Sequence, residues 1–101
     1  VSHRSNLPLV EWVAARLAEA GVTAELIADA TGTKANLLAV IGPRGVPGVL
    51  LSAHVDVVPV EGQAWTRPPF RLTAAGGRLY GRGTTDMKGF VACAIEAALA
   101  A

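Results

Sequence analysis

The chain has 101 residues, enough for one small domain or for part of a larger one. Half of them are hydrophobic (51%) and only 17% are charged, a core-forming composition that excludes intrinsic disorder. A net charge of +1 gives no electrostatic basis for a nucleic-acid partner or an anionic membrane, and no apolar run reaches bilayer-spanning length. The single Cys93 excludes an internal disulfide framework and fits a reducing compartment. The N-terminus lacks the apolar stretch of a signal peptide. The chain starts at Val1 without an initiator Met and stops inside a helical pattern without a stop signal, so it reads as a piece of a longer protein.

In chain order, Ser5 or Asn6 is a suitable helix N-cap, and Pro8 is tolerated in the first turn. Val10, Val13, Ala14 and Leu17 recur at helical spacing and predict an amphipathic helix that ends at Gly21. Val22 to Ala28 alternates as a half-buried strand, with Val22, Ala24 and Leu26 on one face. A turn over residues 29–33 leads to a second strand, Ala35 to Ile41. The loop of residues 42–48 is dense in Gly and Pro and short enough to join antiparallel neighbours.

The run Val49 to Ala53 is apolar, bounded by turn residues, and reads as a buried strand. His54 and Asp56 stand where it ends. Residues i and i+2 of an extended chain point the same way, so an imidazole and a carboxylate are presented together. Residues 60–70 form an irregular loop, with Trp65 and Phe70 expected to pin it to the core. Arg71 to Ala74 and Arg78 to Tyr80 predict a hairpin around Gly76-Gly77. From about Lys88 a helix runs to the end, apolar nearly all round and therefore expected to be buried on several sides. Cys93 within it is expected to pack rather than to react.

Between hairpin and helix lies Gly81-Arg82-Gly83-Thr84-Thr85-Asp86-Met87-Lys88-Gly89. A dinucleotide fingerprint would need its third glycine where Asp86 stands, and neither a phosphate-binding Gly-Lys-Ser/Thr nor a Gly-x-Ser-x-Gly nucleophile turn is present. Read alone, Asp86 is open between a first-turn acid of the last helix and a metal ligand. The glycines on either side permit close backbone approaches that a cap does not need. A second acid beside a strand-end His-x-Asp suits zinc, which takes imidazole and carboxylate donors.

These two segments resemble the signatures of the zinc-dependent amidohydrolases, a family that includes acetylornithine deacetylase, succinyl-diaminopimelate desuccinylase, aminoacylase and some carboxypeptidases. Ser52-Ala53-His54-Val55-Asp56-Val57-Val58-Pro59 is similar to the first signature, and the stretch from Leu79 to Gly89 is similar to the second. Ser5-Asn6-Leu7-Pro8, the stretch Gly32 to Leu37 and the stretch Pro59 to Thr66 are similar to segments of the acetylornithine deacetylase branch.

The resemblance implies an α/β fold, with residues 1–101 forming the N-terminal part of a zinc-peptidase-like catalytic domain: a mixed sheet with helices on both faces. The rest of that domain and a lid or dimerisation domain would lie beyond Ala101. The implied reaction is hydrolysis of the amide bond of an N-acyl amino acid, foremost N-acetylornithine to ornithine and acetate in arginine biosynthesis. His54 would ligate one zinc, Asp86 would bridge two (cobalt being an alternative metal), and Asp56 would join the catalytic set by orienting His54. The Asp86–Met87 peptide would be cis. A Glu-Glu pair carrying the general base, and further ligands, would lie beyond Ala101, which leaves the 101 residues inactive by themselves. A small-molecule substrate, a cytoplasmic location and a homodimer are implied as well. The desuccinylase and other family activities, and a non-catalytic module that keeps the fold, are the alternatives.

Overall fold

A computed structural model describes all residues from Val1 to Ala101. Helix α1 spans Leu7–Glu19, with Asn6 as N-cap residue and Pro8 in the first turn, where a missing N–H costs nothing. Its buried stripe is Val10, Val13 and Leu17. It ends as the Gly21 signal predicts. Gly21 has φ +79°, its N–H donates to Ala18 O (2.9 Å), and Val22 N–H donates to Leu17 O (3.0 Å). Those two bonds satisfy carbonyls that the last helical turn leaves open.

Strands β1 (Ala24–Ala28) and β2 (Ala35–Ala39) pair antiparallel, with Ala24 opposite Ala39 and Ala28 opposite Ala35. On β2, Ala35 is buried and Leu37 and Ala39 are half-buried, the alternation of a strand covered on one face. Leu26 on β1 is exposed. The turn between the strands is tied by Asp29. Its carboxylate accepts from the Thr31 hydroxyl (2.8 Å) and from the Thr33 and Lys34 amides (3.1 Å each). The Thr31 hydroxyl, then the Lys34 amide, holds the Asp29 pKa below its ordinary value.

Helix α1 packs against both strands of this hairpin. The Asn6 side chain fixes the contact: its Nδ2 donates to Ala35 O and its Oδ1 accepts from Ala35 N–H, both at 2.9 Å. An amide side chain thus pairs with one strand residue as another strand would. The helix-capping bond comes instead from the neighbour, since Ser5 Oγ accepts from Leu7 N–H (3.2 Å).

Strands β3 (Thr73–Ala75) and β4 (Arg78–Tyr80) form a second antiparallel pair. Helix α2 spans Gly89–Ala100. The fold is therefore two helices and two separate two-stranded antiparallel sheets. The expected mixed sheet with helices on both faces is not formed. Its central member would be the run from Val49, which is extended but joins no ladder: no backbone–backbone hydrogen bond involves residues 49–56. Val49 is 90% exposed and Leu50 78%, so the predicted burial fails with the pairing. An apolar run states that a strand wants cover, and no strand of these residues pairs with it.

Helix α2 departs from expectation for the same reason. It has no buried residue, and Cys93 is exposed. Between α1, residues 49–56 and α2 lies a wide apolar groove lined by Val13, Leu17, Leu51, Phe90 and Ile95 among others. The radius of gyration, 15.5 Å, reflects this open packing against about 13 Å for a closed 100-residue domain. No helix is long and apolar enough to cross a membrane.

Candidate metal centre

The site forms where the extended residues 54–57 meet the turn between β4 and α2. Val57 is the anchor, buried at 7% exposure. Gly83 lies against it with φ +87°, a left-handed conformation that side chains disfavour. From Gly83 the chain makes one wide turn over Thr84–Lys88, closed by Lys88 N–H donating to Gly83 O (2.8 Å). Asp86 and Met87 leave helical geometry within it, and the Asp86–Met87 peptide is cis, as the resemblance implied. Gly89 enters α2 where a β-carbon would lie 2.5 Å from Thr84 O, so this glycine too is set by a close approach.

Two further contacts tie the turn to the extended segment. Lys88 Nζ donates to Val55 O (2.7 Å), and His54 N–H points at Met87 Sδ (3.5 Å). Lys88 thus holds the carbonyl of the one residue that lies between His54 and Asp56. A charged donor is well suited to that task where no neighbouring strand supplies one.

His54 is the hub. Its Nε2 is 3.0 Å from Asp86 Oδ1. Its Nδ1 is 3.1 Å from Asp56 Oδ1 and 3.1 Å from the Asp56 carbonyl. The i, i+2 spacing brings His54 and Asp56 together, and the turn brings in Asp86 from 32 residues away. With oxygen acceptors at both nitrogens, the imidazolium is favoured. The His54 pKa is raised, chiefly by the hydrogen bond to the Asp56 carbonyl and then by the Asp86 carboxylate. The Asp56 pKa is lowered, first by the Ser2 hydroxyl, whose Oγ lies 2.8 Å from Asp56 Oδ2, and then by His54. His54 and Asp56 are half-exposed and Asp86 is 84% exposed, so all three face open solvent. They line a shallow cleft of ≈ 230 Å³ with Arg82, Thr84 and Thr85.

The donor chemistry suits a metal ion. Ligand distances of about 2.0–2.2 Å place two donors on a tetrahedral ion roughly 3.3–3.6 Å apart. Nε2 and Oδ1 stand 3.0 Å apart. A cation could take the place of the proton between them while Asp56 keeps the proton on Nδ1, the usual support of a metal-bound imidazole. These residues provide two donors to one ion, and no group of three or more His, Cys, Asp or Glu side chains is arranged to hold one.

The loop of residues 60–70 is tied down differently from expectation. Trp65 is half-buried, but Phe70 is 62% exposed and pins nothing. Gln63 Oε1 instead accepts from Trp65 Nε1 (3.0 Å) and from the Arg82 guanidinium, which lies 5.1 Å from the Trp65 ring centre. Arg67 stacks on Tyr80 at 3.8 Å. The loop therefore reports to the site segment through Arg82. Ser2, Lys88 and Arg82 had no site role in the sequence. Ser2 gave no signal at all, since a serine 54 residues upstream of its partner has no spacing to betray it.

A histidine and two acids thus stand together between a strand-like end and a glycine-bounded turn. The profile of peptidase family M20/M25/M40 matches residues 50–101, half of the chain, and the chain belongs to that family. It is similar to the acetylornithine deacetylase of Myxococcus xanthus, 47% identical over 103 residues that cover 97% of this chain and 27% of that protein. It is 45% identical over 96 residues to the acetylornithine deacetylase of Photorhabdus laumondii subsp. laumondii, covering 93% of this chain and 24% of that protein. It is 43% identical over 94 residues to that of Shigella sonnei, covering 92% and 24%. The chain thus spans about a quarter of the length of the curated relatives it matches. No solved structure matches it.

Proposed function

We propose that this chain is the N-terminal part of the metal-binding domain of an amidohydrolase that removes the acyl group from an N-acyl amino acid, N-acetyl-L-ornithine being the favoured substrate. The observation that carries the reading is the approach of His54 Nε2 to Asp86 Oδ1, 3.0 Å, with Asp56 behind the imidazole. The acetylornithine deacetylases to which the chain is similar support the choice of substrate. His54 and Asp86 would hold zinc, or cobalt in its place, with Asp86 shared between two ions. When bound, the metal supplies Lewis acidity toward the amide carbonyl.

Each residue then has a physical task. Asp56 keeps the proton on Nδ1, which leaves the Nε2 lone pair free and the ring more basic. Lys88 holds the Val55 carbonyl, so His54 and Asp56 stay on one side of the backbone. Gly83 lets the turn come close enough for Asp86 to reach His54. The general base, the remaining metal ligands and the groups that select the acyl and amino-acid parts would come from residues outside these 101. A homodimer in the cytoplasm belongs to the same reading.

The test uses the complete protein. Acetate release from N-acetyl-L-ornithine is measured beside succinate release from N-succinyl-diaminopimelate, with and without a chelator, and again for Asp56→Asn. The reading expects chelator-sensitive acetate release and a loss on the order of 10–100-fold in activity or metal affinity for Asp56→Asn. Preference for the succinyl substrate would move the protein to the desuccinylase branch. Turnover and metal content untouched by chelator and substitution alike would leave the proposal without support.

A further inference from the structure

Ser2 is exposed and lies near the start of the chain, yet all three of its polar groups are engaged by distant residues. Its N–H donates to Val57 O (3.2 Å), 55 residues on. Its carbonyl accepts from Lys34 Nζ, in the turn that Asp29 ties. Its hydroxyl donates to Asp56 Oδ2 at 2.8 Å and lies 3.3 Å from Val57 O, so the carboxylate is the closer acceptor. Backbone anchors on both sides fix where the hydroxyl stands before it makes any bond of its own.

The bond falls on the oxygen of Asp56 that His54 leaves free. Asp56 Oδ1 faces His54 Nδ1 (3.1 Å), and Oδ2 faces Ser2. A carboxylate held at one oxygen can swivel about its Cβ–Cγ bond. Held at both, it has one orientation and presents Oδ1 to the imidazole in a fixed plane. The hydroxyl-to-carboxylate bond is charge-assisted, the stronger kind. An unbroken chain of contacts results, from Ser2 through Asp56 and His54 to Asp86.

We propose that Ser2 is a positioning residue of the metal centre: it fixes the Asp56 carboxylate that orients His54 and so tightens metal binding at the His54–Asp86 pair. The proposal rests on the reading of these residues as a metal centre. The segment before α1 is then a strap across the back of the site rather than a loose lead-in. Ser2 acts one residue further from the metal than Asp56 and is exposed. Its removal is therefore expected to weaken the metal by about three- to tenfold, less than the roughly 10–100-fold typical of a direct partner of the liganding histidine.

The experiment is a cobalt(II) titration of the complete protein, read by the visible absorption of the bound ion. It uses the parent, Ser2→Ala, Ser2→Thr, Asp56→Ala and the Ser2→Ala/Asp56→Ala double variant, with circular dichroism to confirm an unchanged fold. The expected result is weaker cobalt binding for Ser2→Ala, parental binding for Ser2→Thr, which keeps the hydroxyl, and no further loss when Ser2→Ala is added to Asp56→Ala. Parental affinity in Ser2→Ala beside weakened Asp56→Ala overturns the role of Ser2 and leaves the metal centre standing. The same loss from Ser2→Ala in both backgrounds, or Ser2→Thr as weak as Ser2→Ala, also overturns it. Parental affinity in Asp56→Ala brings down the metal-centre reading and the role of Ser2 together.

Discussion

A β-carbon on Gly83 would lie 2.6 Å from Val57 Cγ1, so these two residues meet backbone to side chain with no spare volume. Val57 follows Asp56 and Gly83 precedes the turn that carries Asp86. The contact sets how near the two halves of the site can come.

Gly83→Ala is therefore expected to be costly on two counts. The left-handed backbone disfavours a β-carbon by about 1–2 kcal/mol, and overpacking against Val57 adds roughly 1–3 kcal/mol. Urea denaturation of the complete protein measures the sum. In a Val57→Ala background the second part vanishes, and the cost of Gly83→Ala drops to that of the backbone alone.

Lys88→Met removes the donor from Val55 O and keeps most of the aliphatic stem. A hydrogen bond from a charged donor contributes about 1.5–3 kcal/mol, with the lower figure apt for a half-exposed site. Stability is expected to fall by about 1.5 kcal/mol. The His54 ring resonances in NMR spectra are expected to move or broaden as residues 54–56 lose their tether. Unmoved resonances would show that the ring is held without Lys88.

Asn6→Ala leaves the N–H and C=O of buried Ala35 without the side chain that pairs with both. Unsatisfied buried backbone groups cost about 1–3 kcal/mol. Asn6→Asp is not a rescue, because it replaces the donor to Ala35 O with a second acceptor. Thermal unfolding of the two variants beside the parent is the check, and both are expected to melt earlier.

The Asp29 turn carries a pH signature. Its carboxylate pKa is lowered by folding, so the stabilisation is fully present above the ordinary value of 3.8 and is lost as pH falls through the lower folded value. Amide exchange at Thr33 and Lys34, whose N–H groups Asp29 accepts, is expected to lose protection in that acid window after correction for intrinsic rates. Asp29→Asn is expected to flatten the dependence. Protection that persists below it would mean that the turn holds without the charge.

What was legible in the sequence was what neighbours in the chain decide. The Val10, Val13 and Leu17 stripe, the stop at Gly21, the β1–β2 hairpin and the Gly76-Gly77 turn all depend on spacings of a few residues. His54 and Asp56 could be paired by the strand period, and Asp86 stood out once Gly81, Gly83 and Gly89 had no other motif to serve. The failures all concern partners far away in sequence. Val49 to Ala53 has the composition of a covered strand and no strand to cover it. Helix α2 has apolar residues on every side and nothing packed around them. Ser5 or Asn6 suits the cap, and Ser5 makes the bond; what the sequence does not signal is that the Asn6 amide reaches Ala35. Phe70 looked like an anchor because it is aromatic, yet Gln63 and Arg82 provide the attachment.

The uncovered run at Val49, Leu50 and Leu51 also bears on how the protein is made. An extended apolar strip with its backbone open along both edges is adhesive toward any other strand, including the same strip of another molecule. On the ribosome it emerges ahead of Phe90 and the rest of α2, and it stays adhesive until something packs on it. Expression yield is expected to fall the longer the strip stays uncovered. Slower growth, lower temperature or a holding chaperone would raise that yield without any change to the folded protein.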